Sequence, residues 1–366
     1  MTKISFIYAR FFDGNESSHA IERRLITHLQ ELRTAKLPSP PPGSEDEDEG
    51  IEWEVPSPAV RITPAEGKRI RRRAENVVER REAASGLGHL RREDREALRR
   101  LRDGVRLAPI TSEAQADEIA ASLHSAMPWM QAATAHLWHA MRRSAHRGET
   151  GFRLPPLLLH GPPGIGKSVW ARRVSEVLAV PLRTVEASGE QASFGVVGSQ
   201  RGWGSAFPGK PLQTILQHLV ANPIIVVDEI EKAGVATSTR GMRCSLTEAL
   251  LPLLERATAK EWECPYYQVR FDMSWISWIM TANDTSSLPD PFLSRIEVVS
   301  LGLPGLADLK QFALHLGERQ GLAGPAIEAV VKAIEVAFTQ GLYPNLRTVI
   351  RMLERAEALQ RLPVVH

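Results

Sequence analysis

The sequence predicts an α/β fold: a parallel sheet flanked by helices, with a small C-terminal helical lid and a mostly helical N-terminal region. Three observations carry this. Beyond residue 154 short apolar runs ("PPLLLH", "NPIIVVDE", "SWISWIMTAND") alternate with segments of helical periodicity such as "VWARRVSEVLAV", and that alternation builds a parallel sheet with helices on both faces. The first run ends directly in a glycine-rich loop, a phosphate-binding strand-to-helix turn. From about 304 onward the pattern is helical only, with a turn near "QGLYPN".

The elements follow in order. Residues 1–37 form a small N-terminal segment, a strand-like "ISFIYARFF" followed by a helical pattern over about 18–36 (Ile21, Leu25, Leu29, Leu32). Residues 38–63 are a Pro-rich and acidic linker containing "SEDEDEG". Residues 64–110 are an Arg-rich helical region broken near "SGLGH" at 85–89. Residues 111–303 make the large domain, led by helices over 112–146 with Ile119, Leu123, Met127, Leu137 and Met141 as core candidates. Residues 304–366 form the lid. There is no internal repeat.

At 366 residues the chain can bury a sizeable core, and its net charge of +2 points to no particular partner. The charge is uneven: between Arg61 and Arg106 fifteen Lys or Arg face eight Asp or Glu, a local balance of +7. Two cysteines, Cys244 and Cys264, make neither a disulfide framework nor a four-ligand zinc site. No apolar run reaches membrane-span length and the N-terminus lacks a signal-peptide core, so the expectation is a soluble, cytoplasmic protein without a membrane partner.

The chemistry centres on "LLLHGPPGIGKSVW". Gly161, Pro162, Pro163, Gly164, Ile165, Gly166, Lys167 and Ser168 fit G-x-x-x-x-G-K-[ST], and with Val169, which follows, they make up the expected phosphate-binding stretch. Backbone N–H groups can turn inward onto a phosphate there, helped by the helix N-terminus. Lys167 is expected to reach the β- and γ-phosphates and Ser168 to ligate Mg²⁺. Asp228 closes an apolar strand 61 residues after Lys167 and suits the Mg²⁺ shell. Glu229, unless it is only a solvated acid at a strand end, can polarise an attacking water. Asn283 ends the third run and could position that water. Arg295 is a surface charge unless a neighbouring subunit's γ-phosphate lies beside it.

At this point the residues match a family. The chain from about 155 to 356 resembles the AAA+ ATPases, and within them the ATPase module of the Lon proteases. "GSQRGWGSAFPGKPLQ" (198–213), "VVDEIEKAG" (226–234), "YYQVRFDMS" (266–274) and "MTANDTSSLPDPFLSRIEVV" (280–299) occur in that family's order. The resemblance implies a P-loop AAA+ fold and ATP with Mg²⁺ as cofactors. It implies Walker-motif roles for Lys167, Ser168, Asp228 and Glu229, a sensor role for Asn283 and an arginine finger at Arg295. "NLRTVIRML" is similar to the lid helix bearing the second sensor, with Arg347 the match and Arg351 the competing choice one turn later. Trp203 falls at the substrate-gripping pore loop, although a core aromatic is the alternative, and 234–241 would be the second pore loop. Two departures stand out. The chain ends soon after the lid, so a Ser-Lys peptidase domain, and hence proteolysis, is not expected. The first 110 residues do not resemble the Lon substrate-binding domain.

An arginine finger acts across an interface, so the resemblance implies a homo-oligomeric ring, six-membered in the family, that remodels or threads a polypeptide through its pore. A different class is a DNA-associated regulator or loader using the basic stretch. The interleaved acids of "RREDREALRR" favour a salt-bridged, solvated helix instead.

Overall fold

The structure, a computed structural model, describes residues 2–12, 16–36, 60–189, 192–201, 206–233, 235–237 and 243–360. The chain divides into a smaller unit, Ala9–Arg95, and a larger one comprising Met1–Tyr8 and Glu96–His366. The sequence reading kept residues 1–37 together and ended the Arg-rich region at 110, and the division differs for a tertiary reason. Of the strand-like N-terminal run, Lys3 and Ile4 pair antiparallel with Arg106 and Val105. The backbone N–H of Asp272 donates to Phe6 at 2.8 Å, and the buried Phe6 ring lies 5.7 Å from Phe271. These long-range pairings tie the first eight residues to the larger unit.

The smaller unit is a helical pair, α1 (Ser18–Thr34) and α2 (Pro64–Ser85). Thr63 and Glu66 form a reciprocal capping box at the start of α2, with Pro64 pre-set for the first turn. Gly86, at φ 73°, ends α2 in the left-handed region that a glycine enters without strain. The pair is laced by ions: Glu66 receives Arg33, Glu16 receives Arg24 and Arg81, and Glu22 lies 3.5 Å from Arg71. The hydrogen bonds from Thr63 and then Arg33 hold the Glu66 carboxyl down at about 2.

The boundary between units falls inside α3 (Arg92–Arg99). In the larger unit α4 (Glu113–Ala126) and α5 (Gln131–His146) lead into β1 (Leu157–His160) and α6 (Lys167–Val177). All five core candidates named from the 112–146 pattern are buried. The remaining strands are β2 (Leu182–Glu186), β3 (Ile224–Asp228), β4 (Ser277–Ala282) and β5 (Glu297–Ser300). They lie in the order β5-β1-β4-β3-β2, all parallel, with Ile279 beside Leu157 and Ser277 and Leu182 beside Ile224. Parallel neighbours require crossovers, which is why helices separate the strands in sequence.

Strand periodicity sorts the core. Leu157, Leu159, Ile224, Val226 and Ile279 pack with α4, α5 and α6, while Leu158, Ile225, Val227 and Met280 alternate with them and are equally buried. Helices α7 (Lys210–His218) and α8 (Leu246–Leu254) bury Leu212, Ile215, Leu250 and Leu253, and α7 packs along β2. The lid is a three-helix cluster, α9 (Leu306–Arg319), α10 (Gly324–Thr339) and α11 (Leu346–Gln360), closed around Leu309, Ala313, Ile334, Val349 and Leu353. No helix among the described residues is long and apolar enough to cross a membrane.

Candidate phosphate site

The site lies at the carboxyl ends of β1, β3 and β4, where His160 neighbours Ala282 and open α/β sheets place their ligands. Between β1 and α6 the chain turns through Gly164 at φ 79° and Gly166 at φ 91°, conformations that side-chain-bearing residues avoid. Space excludes side chains as well. A Cβ on Gly164 would come 2.8 Å from Nδ2 of Asn345, and one on Gly166 would come 2.9 Å from Cε of Met127.

The loop is fastened from two directions. The indole Nε1 of Trp129 donates to the Ile165 carbonyl at 2.9 Å, and the backbone N–H of Leu346, at the start of α11, donates to the Gly164 carbonyl at 3.2 Å. Trp129 also meets Phe312 of α9 edge-on at 5.9 Å, so one side chain joins the loop to the lid. A cleft of about 390 Å³ runs between α4 and α9, lined by Trp129, Phe312, Arg173, His315 and Arg319 among others. Pro162 and Pro163 stiffen the loop, and Val169, 59% exposed, opens the outer face of α6 to solvent.

Lys167 is nearly buried, and its ammonium donates to the Gly161 carbonyl (2.5 Å), the Pro162 carbonyl (3.1 Å) and Oδ1 of Asn283 (2.9 Å). Burial pushes its pKa below the usual lysine value, the charges of Glu231, Asp228 and Glu229 pull it back up, and Arg347 lowers it further. Ser168 Oγ donates to Oδ1 of Asp228 at 2.8 Å, and Thr281 Oγ1 donates to the same oxygen at 2.5 Å. Thr281 accepts in turn from the backbone N–H of Glu229 at 2.9 Å. Glu229 sits at φ 55°, a strained position for a residue with a Cβ, and its carboxylate pairs with Lys232 at 2.8 Å. Glu231 Oε1 accepts from both the backbone N–H (3.0 Å) and Nδ2 (2.9 Å) of Asn283.

Lys167, Ser168, Asp228, Glu229 and Asn283 are thus brought together around the loop. Arg347 is exposed on the first turn of α11, near enough for its charge to act on Lys167, and Arg351 follows one turn on. Arg295 lies elsewhere: Nη1 donates to the Pro291 carbonyl at 2.7 Å and Nε is 3.8 Å from Glu255. Trp203 lies outside the described residues, as do Gly234 and residues 238–242 of the expected second pore loop, while backbone 235–237 pairs antiparallel with 243–245. Cys264 is buried, which pushes its thiol up to about 11 and leaves it unreactive.

Sequence reasoning missed four contributors. Thr281 lies on β4 two residues before Asn283, which directly follows the strand, so continuing the strand period would put both on one face. Glu231 follows in the run of acids after Asp228. Asn345 precedes a periodic segment and accepts from the Thr348 backbone N–H at 3.0 Å, an N-cap signature. Trp129 carried only a faint signal, in "MPW".

The residues suit a triphosphate with its metal. The glycines leave a cradle that a Cβ would fill, a buried ammonium faces only neutral acceptors, and a hydroxyl and a carboxylate offer the hard oxygens Mg²⁺ prefers. Among the described residues no group of three or more His, Cys, Asp or Glu could hold a metal without such a ligand.

Comparison with known proteins points to the same fold. Residues 157–301 match the AAA family, described as the ATPase family associated with various cellular activities. The chain is 36% identical to the Lon protease of Chlamydia muridarum over 145 residues, 40% of this chain and 17% of that protein. It is 36% identical to the Lon protease of Magnetococcus marinus over 155 residues, 42% and 18% respectively. Against the peroxisomal Lon protease homolog 2 of Oryza sativa subsp. indica it is 29% identical over 219 residues, 57% of this chain and 24% of that protein. The chain therefore spans less than a quarter of the length of these relatives.

Proposed function

We propose that residues 157–301, which match the AAA ATPase family and are similar to the corresponding part of the Lon proteases, hydrolyse ATP with Mg²⁺ to remodel or thread a polypeptide through a ring of identical subunits. The observation that carries the reading is the convergence of Lys167, Ser168, Asp228, Glu229 and Asn283 on one glycine cradle. Lys167 would hold the β- and γ-phosphates and Ser168 and Asp228 would hold Mg²⁺, which when bound would neutralise charge on the phosphates. Glu229 takes a proton from water, which requires it to leave Lys232. Arg347 approaches from the lid. Arg295, held among the described residues by the Pro291 carbonyl and a carboxylate 3.8 Å away, serves the neighbouring subunit's nucleotide. Ring closure, sixfold by family resemblance, and a gripping role for Trp203 complete the motor.

The test is Glu229→Gln in the full chain. The variant should bind ATP and assemble in its presence, while phosphate release falls by about 100-fold or more. Normal turnover would reject the assignment. Mixing Glu229→Gln with Arg295→Ala should recover activity if the arginine works across the interface, and failure at every ratio would reject the trans role.

One observation favours a second role for the smaller unit. Arg69, Arg72, Arg73 and Arg80 share the exposed face of α2 and have no acid partner among the described residues, unlike Arg33, Arg71 and Arg81. Such a stripe suits a nucleic-acid backbone. Salt-sensitive retardation of a DNA or RNA probe, lost on replacing these four arginines by glutamine, would support it, and no retardation at low salt would reject it.

A further inference from the structure

The polar groups behind the phosphate loop form a chain in which each member has one choice. An asparagine amide has an acceptor end and a donor end. Lys167 can only donate, and it meets Oδ1 of Asn283 at 2.9 Å. Glu231 Oε1 lies 2.9 Å from Nδ2 and 3.0 Å from the backbone N–H of the same residue. Turning the amide over would set Nδ2 against an ammonium and Oδ1 against a carboxylate, so the two neighbours select one orientation without reference to any ligand. The backbone delivers Glu231 there through a tight turn, with Glu229 at φ 55° and Lys232 N donating to the Glu229 carbonyl at 2.8 Å. The second carboxylate oxygen, Oε2, is buried and has no hydrogen-bond partner among the described residues. A buried acceptor left so is costly and calls for a reason.

We propose that Glu231 is the positioning residue of Asn283, holding its amide nitrogen so that Asn283 meets the reactants with its carbonyl oxygen alone. Asn283 then accepts, from Lys167 and from a hydrogen of the attacking water, and does not donate to a phosphate oxygen. The inference rests on the reading that this site hydrolyses ATP, and it deepens that reading by assigning the polarity of one group and the residue that sets it. The charge of Glu231, the largest carboxylate influence on Lys167, places it in the same network.

The experiment uses the full chain, steady-state phosphate release with Mg-ATP, and equilibrium binding of a fluorescent ATP analogue. Wild-type release above the Lys167→Ala background comes first, and its absence would overturn ATP hydrolysis itself. Given turnover, Glu231→Ala should lower kcat by about 10- to 100-fold through loss of orientation, with KM and nucleotide affinity within about threefold. A merely structural role would lower affinity and turnover together. The decisive pair is Asn283→Asp alone and combined with Glu231→Gln. Alone, the new carboxylate faces Glu231 and turnover collapses. Combined, the glutamine amide donates to that carboxylate, at the loss of the residue-283 backbone N–H bond that the same Glu231 oxygen accepted, while the carboxylate's other oxygen still accepts from Lys167, and turnover should rise at least about threefold over the single variant. A group that must donate to phosphate cannot be restored this way, because a carboxylate has no hydrogen to give. A double variant no better than Asn283→Asp, or Glu231→Ala with wild-type kcat, would overturn the proposal.

Discussion

Replacing Thr281 by valine tests whether one buried hydroxyl holds Glu229, the proposed general base, in place. Thr281 is 1% exposed, donates to Asp228 at 2.5 Å and accepts from the Glu229 N–H at 2.9 Å. Valine keeps the shape and β-branching, so the change removes two hydrogen bonds and little packing. A bond to a charged group is worth about 1.5–3 kcal/mol, and leaving the Glu229 N–H unpaired costs about 1–3 kcal/mol. The two are not additive, because Asp228 keeps Ser168 and the added methyl is buried, so a net loss of about 3 kcal/mol is expected. For a domain of this size that corresponds to a Tm lower by about 6–12 °C. The functional effect comes through the backbone. A non-glycine residue at positive φ carries about 1–3 kcal/mol of strain that its surroundings must offset, and this hydrogen bond is one of the restraints on Glu229. Without it the carboxylate can drift, and kcat should fall by about 10- to 100-fold while nucleotide affinity, set by the glycine loop and Lys167, changes little. Thermal unfolding followed by circular dichroism, phosphate release and nucleotide titration read the three quantities. Thr281→Ser restores the hydroxyl and should restore turnover, at a stability cost of about 1 kcal/mol for the lost methyl. A valine variant with unchanged Tm and unchanged turnover would refute the reasoning.

Two further expectations follow from the geometry. Trp129→Phe keeps a ring against Phe312 but removes the indole donor to Ile165, a loss of about 1 kcal/mol. If the loop's order is coupled to binding, nucleotide affinity should weaken about fivefold, and titration with a fluorescent ATP analogue checks it. In the helical pair, Glu66 is ordinarily near 4.5 and is held at about 2 when folded. A carboxyl with a depressed folded pKa contributes stability that is fully present above its unfolded value and is lost as the pH falls through the folded one. The α1–α2 pair should therefore weaken between about pH 4.5 and 2, and Glu66→Gln should flatten that part of the pH profile of helicity, which an unchanged profile would contradict.

Much of the site was legible because its signals are local. Gly161 to Ser168 are contiguous, and glycines at 164 and 166 announce a turn whose φ values only glycine enters freely. The acids at 228 and 229 close a run of buried β-branched residues, and Asn283 directly follows another buried strand. The core positions of α4 and α5 follow from the helical repeat. Thr281 and Glu231 were not legible, since a threonine within a strand and a glutamate in a turn are ordinary residues until their partners are known. Those partners stand 53 and 52 positions away.

The amino-acid order alone therefore determined the parallel sheet, the phosphate loop and the identity of the acids, because periodicity and glycine geometry act over a few residues. Only the tertiary structure decided that β4 lies between β1 and β3, and so which side chains face one another across the strand ends. It also decided that Trp129 and Asn345 brace the loop and that the first eight residues join the larger unit. The reason is that hydrogen bonds and buried contacts have ångström range, whereas the residues that make them are brought within that range only when distant segments pack.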